Sequence, residues 1–533
     1  MRHRLRRTLS AGVAVLALAA AGCTDTTVEP KSTITDANIF NDQNSYRAFI
    51  AKLYAGLAVT GQRGPDGNSD IATGDEGFSQ YLRLWWELQE LPTDEAIIAW
   101  NDLGIPEMNF MTWAETNNYV TQMYYRIFYQ VALANEFLRQ TTDAKLDSRG
   151  VSANVRNDVK TYRAEARFLR SLSYWHALDL YGNVPLVTEE SPVGAEPPQQ
   201  NTRTELFDFV VSELNAIKAE LPTANTYGRA TAAAANMVLA HVYLNSAIYT
   251  GTARYDLARQ SAEAVINGGF TLGTTLDSWR LNFVANNNTS PEIIFAIPQD
   301  GTKTQTWGGM TFLLHAGCGG NNVDANSLGL NGCWWGIRLR PQAFRLYEAG
   351  DRRASILVNN QAPGKTFAEA SEITNWQSFD QGIAAPKYSN RTLSGVAGSH
   401  NNFPDTDFPM FRLADAYLIY AEAVARGGGG SQSTALGYVN ALRRRAFGDS
   451  SHDWVAADLT ALKILEERGR ELLWEAHRRS DLVRSARFAG SAYIWTYKGG
   501  TPAGAATPAH LNLYPIPQNE LVANPNLTQN PGY

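Results

Sequence analysis

Residues 164–187 form the stretch that most constrains what this chain can fold into. They read AEARFLRSLSYWHALDLYGNVPLV. The large apolar side chains recur at helical spacing, at Phe168, Leu169, Leu172, Trp175 and Leu180. On an α-helix that spacing places them on one face, which must be buried against other parts of the chain. The stretch therefore predicts a long helix within a helical domain.

The end of this helix and its histidine can also be interpreted. Tyr181 ends the apolar pattern, Gly182 suits the left-handed conformation that follows many helices, and Pro185 prevents the helix from restarting. His176 lies within the apolar stripe. A histidine in that position is either a hydrogen-bonded core residue or a ligand to a buried group, and the first case is the more common one.

Helical patterns recur along most of the chain. They cover residues 45–57, 117–140, 155–181, 204–220, 231–249, 255–267, 411–426, 433–445 and 459–474. Residues 268–410 differ, because they are rich in Gly, Asn, Thr and aromatic residues and show at most short strands, such as 292–297. Irregular segments of this length usually carry function when they are ordered.

These patterns predict a mainly α fold with few short strands. An N-terminal helical region covers residues 39–267 and a C-terminal region covers residues 268–533. Within the C-terminal region, a large loop-rich insertion (268–410) precedes further helices (411–487) and a closing tail.

The N-terminus has the features of a secretory signal. Four of the first seven residues are arginines, residues 11–21 are mostly apolar, and Ala-Gly-Cys follows at 21–23. This pattern predicts a lipoprotein signal peptide over residues 1–22, lipid attachment at Cys23 and a flexible tether over residues 23–38. Ala20 stands where lipoprotein cleavage sites prefer Leu. Ordinary signal cleavage, with Cys23 left as a free thiol, is therefore the alternative.

Charge and missing motifs exclude several functions. The formal net charge is −6 and no basic block follows the signal, which argues against nucleic-acid binding. The sequence contains no HExxH, CxxC, GxSxG, GxGxxG or Walker lysine loop. It therefore predicts no catalytic residue, no cofactor and no metal, so we do not expect an enzyme.

Three glutamates near the C-terminus need partners. Glu467, Glu471 and Glu475 lie four residues apart, so they share one face of a helix and repel one another. The expected partners are Arg478, Arg479 and the arginines at 443–445. A catalytic carboxylate pair is the alternative interpretation, although ion-pair networks also produce such clusters.

Aromatic residues are numerous, with 13 Trp, 23 Tyr and 21 Phe. A flat indole complements the apolar face of a sugar ring, and planar Asn, Asp and Arg groups bond neighbouring hydroxyls in pairs. The glycan-binding candidates are Arg83, Trp85, Trp86, Trp100, Asn101, Trp307, Trp334 and Trp335. Core packing is the alternative for each tryptophan. Trp334 and Trp335 are the best surface candidates, because two adjacent large rings beside glycines are hard to bury together.

Two cysteines remain after Cys23. Cys318 and Cys333 lie fifteen residues apart in one Gly- and Asn-rich stretch. In an exported protein an even number of cysteines favours a disulfide, and two buried thiols are the alternative. Closing a loop of this size would stabilise the fold by about 3 kcal/mol in the chain-entropy model.

Six stretches of the chain resemble, in order, the patterns of one known family. They are residues 164–187 together with LQELPTDEAIIAWND (88–102), NGCWWGIRLRPQAFRLYEAGDRR (331–353), FPMFRLADAYLIYAEA (408–423), ILEERGRELLWEAHRRSDLVR (464–484) and LYPIPQNELVANPNLTQNPGY (513–533). The family is SusD/RagB, the surface glycan-binding lipoproteins. Asp415 and Ala476 depart from its usual Glu and Gly.

The resemblance implies a tetratricopeptide-like frame of helical hairpins. It also implies a lipid-anchored protein of the outer membrane, facing outwards, that binds an oligosaccharide or another nutrient. Such a protein delivers its ligand to a SusC-like TonB-dependent β-barrel transporter and catalyses no reaction. A helical scaffold that binds proteins or peptides at the cell surface is the alternative function, and an extracellular glycosidase is a third.

Overall fold

The computed structural model describes residues 40–533 apart from positions 41, 62–63, 66–68, 72–76, 193, 195, 321 and 360–365. The expected signal peptide (1–22), Cys23 and the tether (23–38) lie outside the described residues. Helices dominate the described chain and the strands are few and short, which confirms the predicted mainly α fold.

The N-terminal region is almost entirely helical. Its elements in chain order are α1 (Asn44–Ala58), α2 (Tyr81–Glu90), β1 (Ile97–Ile98), α3 (Ile105–Phe110), α4 (Asn118–Gln140), α5 (Asp143–Ser148), α6 (Ala153–Leu180), α7 (Arg203–Ile217), α8 (Ala232–Leu244), α9 (Ser246–Thr250) and α10 (Tyr255–Ile266). The helix ends follow local chemistry. Asn117 caps α4 by accepting from the backbone N–H groups of Tyr119 and Val120, and Gly182 follows α6 with φ +75°.

The C-terminal region mixes helices with short strands. Its elements are α11 (Leu276–Arg280), β2 (Ile293–Ile297), α12 (Gly309–Ala316), β3 (Ile337–Arg338), α13 (Pro341–Phe344), β4 (Val358–Asn359), α14 (Phe367–Ser371), β5 (Ile383–Ala384), β6 (Phe408–Arg412), α15 (Leu413–Ala425), α16 (Gln432–Phe447), α17 (Ala461–Glu471), α18 (Arg478–Arg484) and α19 (Gln518–Ala523). Short 3₁₀ turns connect several of them.

The long helices pack on one another in nearly sequential order. Helix α4 packs on α6, α6 on α7, α7 on α8, α8 on α10, α10 on α15, and α15 on α16. This order is typical of a stack of helical hairpins, in which each helix buries its apolar face against its neighbours. No helix among the described residues is both long enough and apolar enough to span a bilayer.

Several helices differ from the sequence-based expectation, and α2 and α12 are the longest of them. The sequence does not predict α2 as a helix, and α12 lies in the insertion where it predicts short strands at most. All ten residues of α2 and all eight of α12 are buried. In α2 the polar residues Arg83, Glu87 and Glu90 lie on one face, but that face is buried as well, so this short helix has no side towards solvent. Helix α12 is mostly apolar and has no polar face, so it shows no amphipathic pattern.

Three two-stranded antiparallel sheets connect distant parts of the chain. Strand β1 pairs with β3, β2 with β6, and β4 with β5. In the first sheet Ile97 pairs with Arg338 and Ile98 with Ile337. This pairing joins the segment after α2 to the middle of the loop-rich insertion, and it brings together the residues of the candidate site described below.

A buried ion network holds the C-terminal helices together. It consists of Glu467, Glu471 and Glu475 with Arg353, Arg412, Arg443, Arg445 and Lys387. Arg353 contacts Glu467 and Glu471 at 2.8 Å each, and Arg412 contacts Glu471 and Glu475 at 2.7 Å each. Every side chain of this network is at most 3% exposed.

The partners of the glutamates were predicted only in part. Arg443 and Arg445 do pair with Glu467 and Glu471. The other expected partners pair elsewhere. Arg478 binds Asp94, Arg479 binds Asp179 and Arg444 binds Asp453. The expectation is wrong for Arg478 and Arg479 because only the tertiary fold brings Asp94, which follows α2, and Asp179 of α6 to α18. It is wrong for Arg444 because this side chain is exposed and pairs with the nearby Asp453.

Candidate functional site

An aromatic cluster lies where the β1–β3 sheet meets the loop-rich insertion. It consists of Trp100, Trp307, Trp334 and Phe403, and the three tryptophans are half-buried. The ring centroids of Trp100 and Trp334 are 6.3 Å apart, those of Trp307 and Trp334 6.2 Å, and those of Trp307 and Phe403 4.9 Å. Three of the predicted glycan-binding tryptophans are thus brought together from two distant segments.

The sheet fixes Trp100 against Trp334. The Ala99 N–H donates to the Gly336 carbonyl at 2.9 Å, and Trp100 Nε1 donates to the Trp334 carbonyl at 3.0 Å. A Cβ at Gly336 would lie 2.9 Å from the Trp100 ring. Residue 336 must therefore be glycine for the indole to lie flat on this backbone.

Trp335 lies beside the cluster and is its most exposed neighbour. The side chain is 52% exposed, and the backbone has φ +57°, a conformation that bulky residues rarely adopt. Such strain costs on the order of 1–3 kcal/mol and is concentrated at binding sites. The Trp335 N–H donates to the Cys318 carbonyl at 3.0 Å, and a Cβ at Gly319 would lie 2.7 Å from the Trp335 ring.

A disulfide closes the loop that presents these rings. Cys318 and Cys333 are bonded, with their Cα atoms 5.0 Å apart. A cavity of about 600 Å³ adjoins the disulfide and is lined by Gly319, Gly320, Asp324 and Trp335, among others. This volume lies in the range of small-molecule sites. A cross-linked loop loses less entropy when a ligand binds to it.

His315, which the sequence did not single out, supports Trp334 from behind. Its ring stacks on Trp334 at 4.8 Å, its Nδ1 is 2.7 Å from the Gly332 carbonyl and its Nε2 is 2.9 Å from the Asn402 carbonyl. The ring thereby connects the disulfide loop to the loop at 399–405. Burial lowers the pKa of His315, and the two carbonyls oppose this effect.

The two polar candidates differ in their exposure. Asn101 directly follows Trp100 and is exposed. Arg83 is only 7% exposed, donates from Nε to Glu87 at 3.0 Å, and lies 4.3 Å above the Phe312 ring. Because Phe312 also contacts Trp100 at 5.9 Å, Arg83 supports the cluster from within.

Trp85 and Trp86 require a correction. They are 4% and 0% exposed. Trp86 donates from its indole N–H to the Trp474 carbonyl at 3.0 Å, and Trp85 stacks on His176 at 3.6 Å. Neither ring offers a face to solvent, so these two belong to the core and not to a surface site. Their segment is the buried helix α2, which the sequence did not reveal as a helix.

His176 is a core residue, as the more common interpretation predicts. It is fully buried, and its Nδ1 lies 2.8 Å from the Tyr81 hydroxyl. Burial lowers the pKa of His176 to about 3. The imidazole is therefore neutral at physiological pH and contributes packing and one hydrogen bond.

The acidic residues near the C-terminus do not form a catalytic arrangement. Burial raises the pKa of Glu471, but Arg445, Arg412 and Arg353 outweigh it and lower the pKa to about 2. A general acid needs a pKa closer to the working pH and access to substrate. Glu471 has neither, since its carboxylate is enclosed by guanidinium groups.

One group among the described residues has the composition of a metal site. The ligand atoms of His241, Asp415 and His477 lie within 4.8 Å of one another. His241 Nε2 is already 2.6 Å from Asp415, and Arg468 binds the other oxygen of that carboxylate at 2.8 Å. The arginine supplies the positive charge that a metal would bring, so we assign this group to the core.

Comparison with known proteins agrees with this architecture. The SusD family model matches residues 368–533, and a model described as "Starch-binding associating with outer membrane" matches residues 88–244. The starch-binding protein SusD of Bacteroides thetaiotaomicron is 33% identical, over 91% of this chain and 91% of its own length. SusD-like protein P2 of Formosa agariphila is 24% identical, over 97% of this chain and 98% of its own.

Solved structures share the fold. A SusD homolog from Bacteroides thetaiotaomicron superposes with a TM-score of 0.72 at 19% identity, covering 94% of this chain and 99% of its own. The surface glycan-binding protein A from the same species, in complex with laminarihexaose, gives 0.68 at 20% identity, covering 91% and 98%. Together with the relative that is 33% identical along most of the chain, these matches show that the chain belongs to the SusD family.

Proposed function

We propose that this protein captures a neutral oligosaccharide at the cell surface and passes it to a SusC-like TonB-dependent β-barrel transporter of the outer membrane. The observation that carries the proposal is the aromatic cluster with Trp335 and Asn101 at its edge. It offers tryptophan faces for sugar rings beside a planar amide for hydroxyl groups. The matching family and the starch-binding relative support a glucan as the first ligand to test.

Isothermal titration calorimetry with maltoheptaose tests the binding step, and laminarihexaose serves as the comparison ligand. We expect binding of one of these glucans by the intact protein and a loss of most of that affinity in the variant Trp100→Ala/Trp335→Ala. Circular dichroism of the variant provides the control for folding. Failure of the wild-type protein to bind either glucan, or equal affinity in the double variant, contradicts the proposed site.

The membrane anchor is a separate part of the proposal. A basic segment, an apolar run and Cys23 support lipid attachment at that cysteine. Cys23→Ala should therefore convert a membrane-bound protein into one recovered in the soluble fraction. If the alanine variant stays in the outer-membrane fraction as the wild type does, another feature holds it there.

The transporter partner follows from the family. A protein that covers a barrel must bury a large surface, and stable interfaces bury about 1,200–2,000 Å². The stacked helices provide a broad, rigid face of that kind. Mild detergent extraction and affinity purification should bring down a large β-barrel protein, and recovery of the lipoprotein alone would count against this partner.

A further inference from the structure

A second cavity of sugar size lies across the loop at 399–405 from the aromatic cluster. Its volume is about 420 Å³, and its lining includes Tyr227, Pro298, Gln299, Asp300, Asp405 and Asp407. One side of this loop reaches the cluster, where the Phe403 ring packs against Trp307 with centroids 4.9 Å apart. Two residues further along, Asp405 accepts from the Gly301 N–H at 2.8 Å and forms part of the cavity wall.

Tyr227 and Pro298 form an apolar ridge at this cavity. Tyr227 is 39% exposed, and Pro298 is also exposed. Gly228 has φ +79°, and a Cβ there would lie 2.2 Å from the Pro298 ring, so only glycine allows the two segments to meet. A smaller cavity of about 280 Å³, which includes Tyr54, Tyr162 and Arg229, lies against the same ridge.

The cavity wall carries polar groups that suit hydroxyl groups. Tyr227 and Asp407 both line this wall, and Asp407 accepts from the Gln299 N–H at 2.6 Å. Asn288 and Thr302 also line the cavity and are exposed, so an amide and a hydroxyl are available there for hydrogen bonds with a sugar.

Charge restricts the ligand class. Three carboxylates line the cavity, and of these Asp300 pairs with Lys303 at 2.5 Å. The remaining carboxylates repel an anionic polysaccharide but accept hydrogen bonds from the hydroxyls of a neutral sugar. Burial raises the pKa of Asp407 to about 6, and perturbed carboxyl groups beside a cavity are typical of functional sites.

We propose that Tyr227, Pro298 and the adjoining cavity form a second carbohydrate subsite, which holds another segment of the same neutral polysaccharide that the aromatic cluster binds. This inference rests on the proposed function. Two sites on one chain increase the apparent affinity for a polymer, because binding at one site raises the effective concentration of sugar at the other. A short oligosaccharide that fills only the cluster gains nothing from the second site.

The experiment compares a polymer with a short sugar in the full-length protein. Affinity electrophoresis in soluble starch measures polymer binding, and calorimetry with maltotriose measures the cluster alone. Tyr227→Ala should weaken binding to starch about 10-fold and leave maltotriose affinity unchanged. Phe367→Ala, which removes a ring of similar exposure (43%) elsewhere, should change neither. Trp334→Ala/Trp335→Ala should keep weak starch binding, which the further change Tyr227→Ala abolishes.

The outcomes separate the two proposals. If Tyr227→Ala binds starch as tightly as the wild type does, while the tryptophan variant loses starch binding, the second subsite is rejected and the proposed function is kept. Loss of maltotriose affinity in Tyr227→Ala also rejects the subsite, because the residue would then act through the cluster. If the wild-type protein binds neither starch, maltotriose nor laminarihexaose, the glucan function and the subsite are both rejected.

Discussion

The ion network and the aromatic cluster are built in opposite ways. In the network, Glu471 accepts hydrogen bonds from Arg353, Arg412 and Arg445, and no side chain is exposed to solvent. In the cluster, backbone hydrogen bonds and glycines hold half-buried rings whose remaining faces are open. The three glutamates of the network are all paired within the protein, whereas the cluster leaves ring faces open to solvent.

This difference separates stability from binding. A buried charge that loses one partner is strongly destabilising, because the other charge is left uncompensated. An exposed ring can be removed with little cost to folding, but it takes its ligand contact with it. Changes in the network should therefore lower the free energy of unfolding, and changes at the cluster should lower ligand affinity.

The largest effect is expected from Glu471→Gln. This change leaves three buried arginines without their shared carboxylate, and the free energy of unfolding should fall by about 3–5 kcal/mol. Urea denaturation followed by circular dichroism measures it. Glu263→Gln is the matched control, because Glu263 forms an exposed i,i+4 pair with Arg259 and should lose at most about 0.5 kcal/mol. Equal denaturation midpoints for both variants would show that the network does not stabilise the fold.

The second prediction concerns how the free energy of unfolding changes at acidic pH. An unfolded histidine has a pKa of about 6.5, whereas burial lowers the pKa of His176 to about 3. Between these values the unfolded chain binds a proton that the folded chain does not bind. The stabilising contribution is therefore complete above pH 6.5 and is lost as the pH falls towards 3, with a loss on the order of 3 kcal/mol between pH 7 and pH 4.

Thermal denaturation at a series of pH values checks this prediction. His176→Gln removes the titrating group, so its stability should fall less steeply between pH 6.5 and pH 4 than that of the wild type. Tyr81→Phe is the control, because it removes the hydrogen bond to His176 but keeps the imidazole buried, so the steep slope should remain. Identical slopes for His176→Gln and the wild type would rule out His176 as the cause.

Third, Trp335→Ala should weaken glycan binding by about 1–3 kcal/mol, the scale of one stacked aromatic contact with its burial. The denaturation midpoint should change little, since the ring is 52% exposed. Trp86→Ala sharpens the comparison, because Trp86 is 0% exposed and its loss should cost about 3–5 kcal/mol of folding free energy. A Trp335→Ala protein that is folded and retains full affinity would remove this ring from the site.

The sequence distinguishes these two tryptophans poorly. Both lie in a Trp-Trp pair, and the intrinsic tendency of tryptophan to be buried is the same at each position. The outcome depends on α2, which is buried on all sides, its polar residues included, and on α12, which packs against it. The longer helices α4, α6 and α16 were predicted within a few residues, because the helical spacing of their apolar residues continues over more turns.

The contact between Trp100 and Trp334 also could not be predicted from local sequence patterns. It depends on the two-residue pairing of β1 with β3, which is too short to give a strand pattern in the sequence. The sequence does not predict the role of His315 either, because its two partners are the backbone carbonyls of Gly332 and Asn402, and every residue type has such a carbonyl. Residue chemistry thus identified the candidate rings, and the tertiary pairing of β1 with β3 decided which of them lie together.

The smallest effect is expected from Gly319→Ala, which tests how closely the glycines control the ring positions. The added Cβ would lie 2.7 Å from the Trp335 ring, and φ at this residue is +145°. The ring must shift, and we expect ligand affinity and the free energy of unfolding each to fall by about 1 kcal/mol or less. Gly332→Ala is the matched control within the same disulfide loop, because a Cβ there meets no atom within 4 Å. Calorimetry with the best-bound glucan, together with urea denaturation, measures both quantities. If Gly332→Ala lowers affinity as much as Gly319→Ala does, general loosening of the loop explains the loss, and the position of Trp335 is not what Gly319 controls.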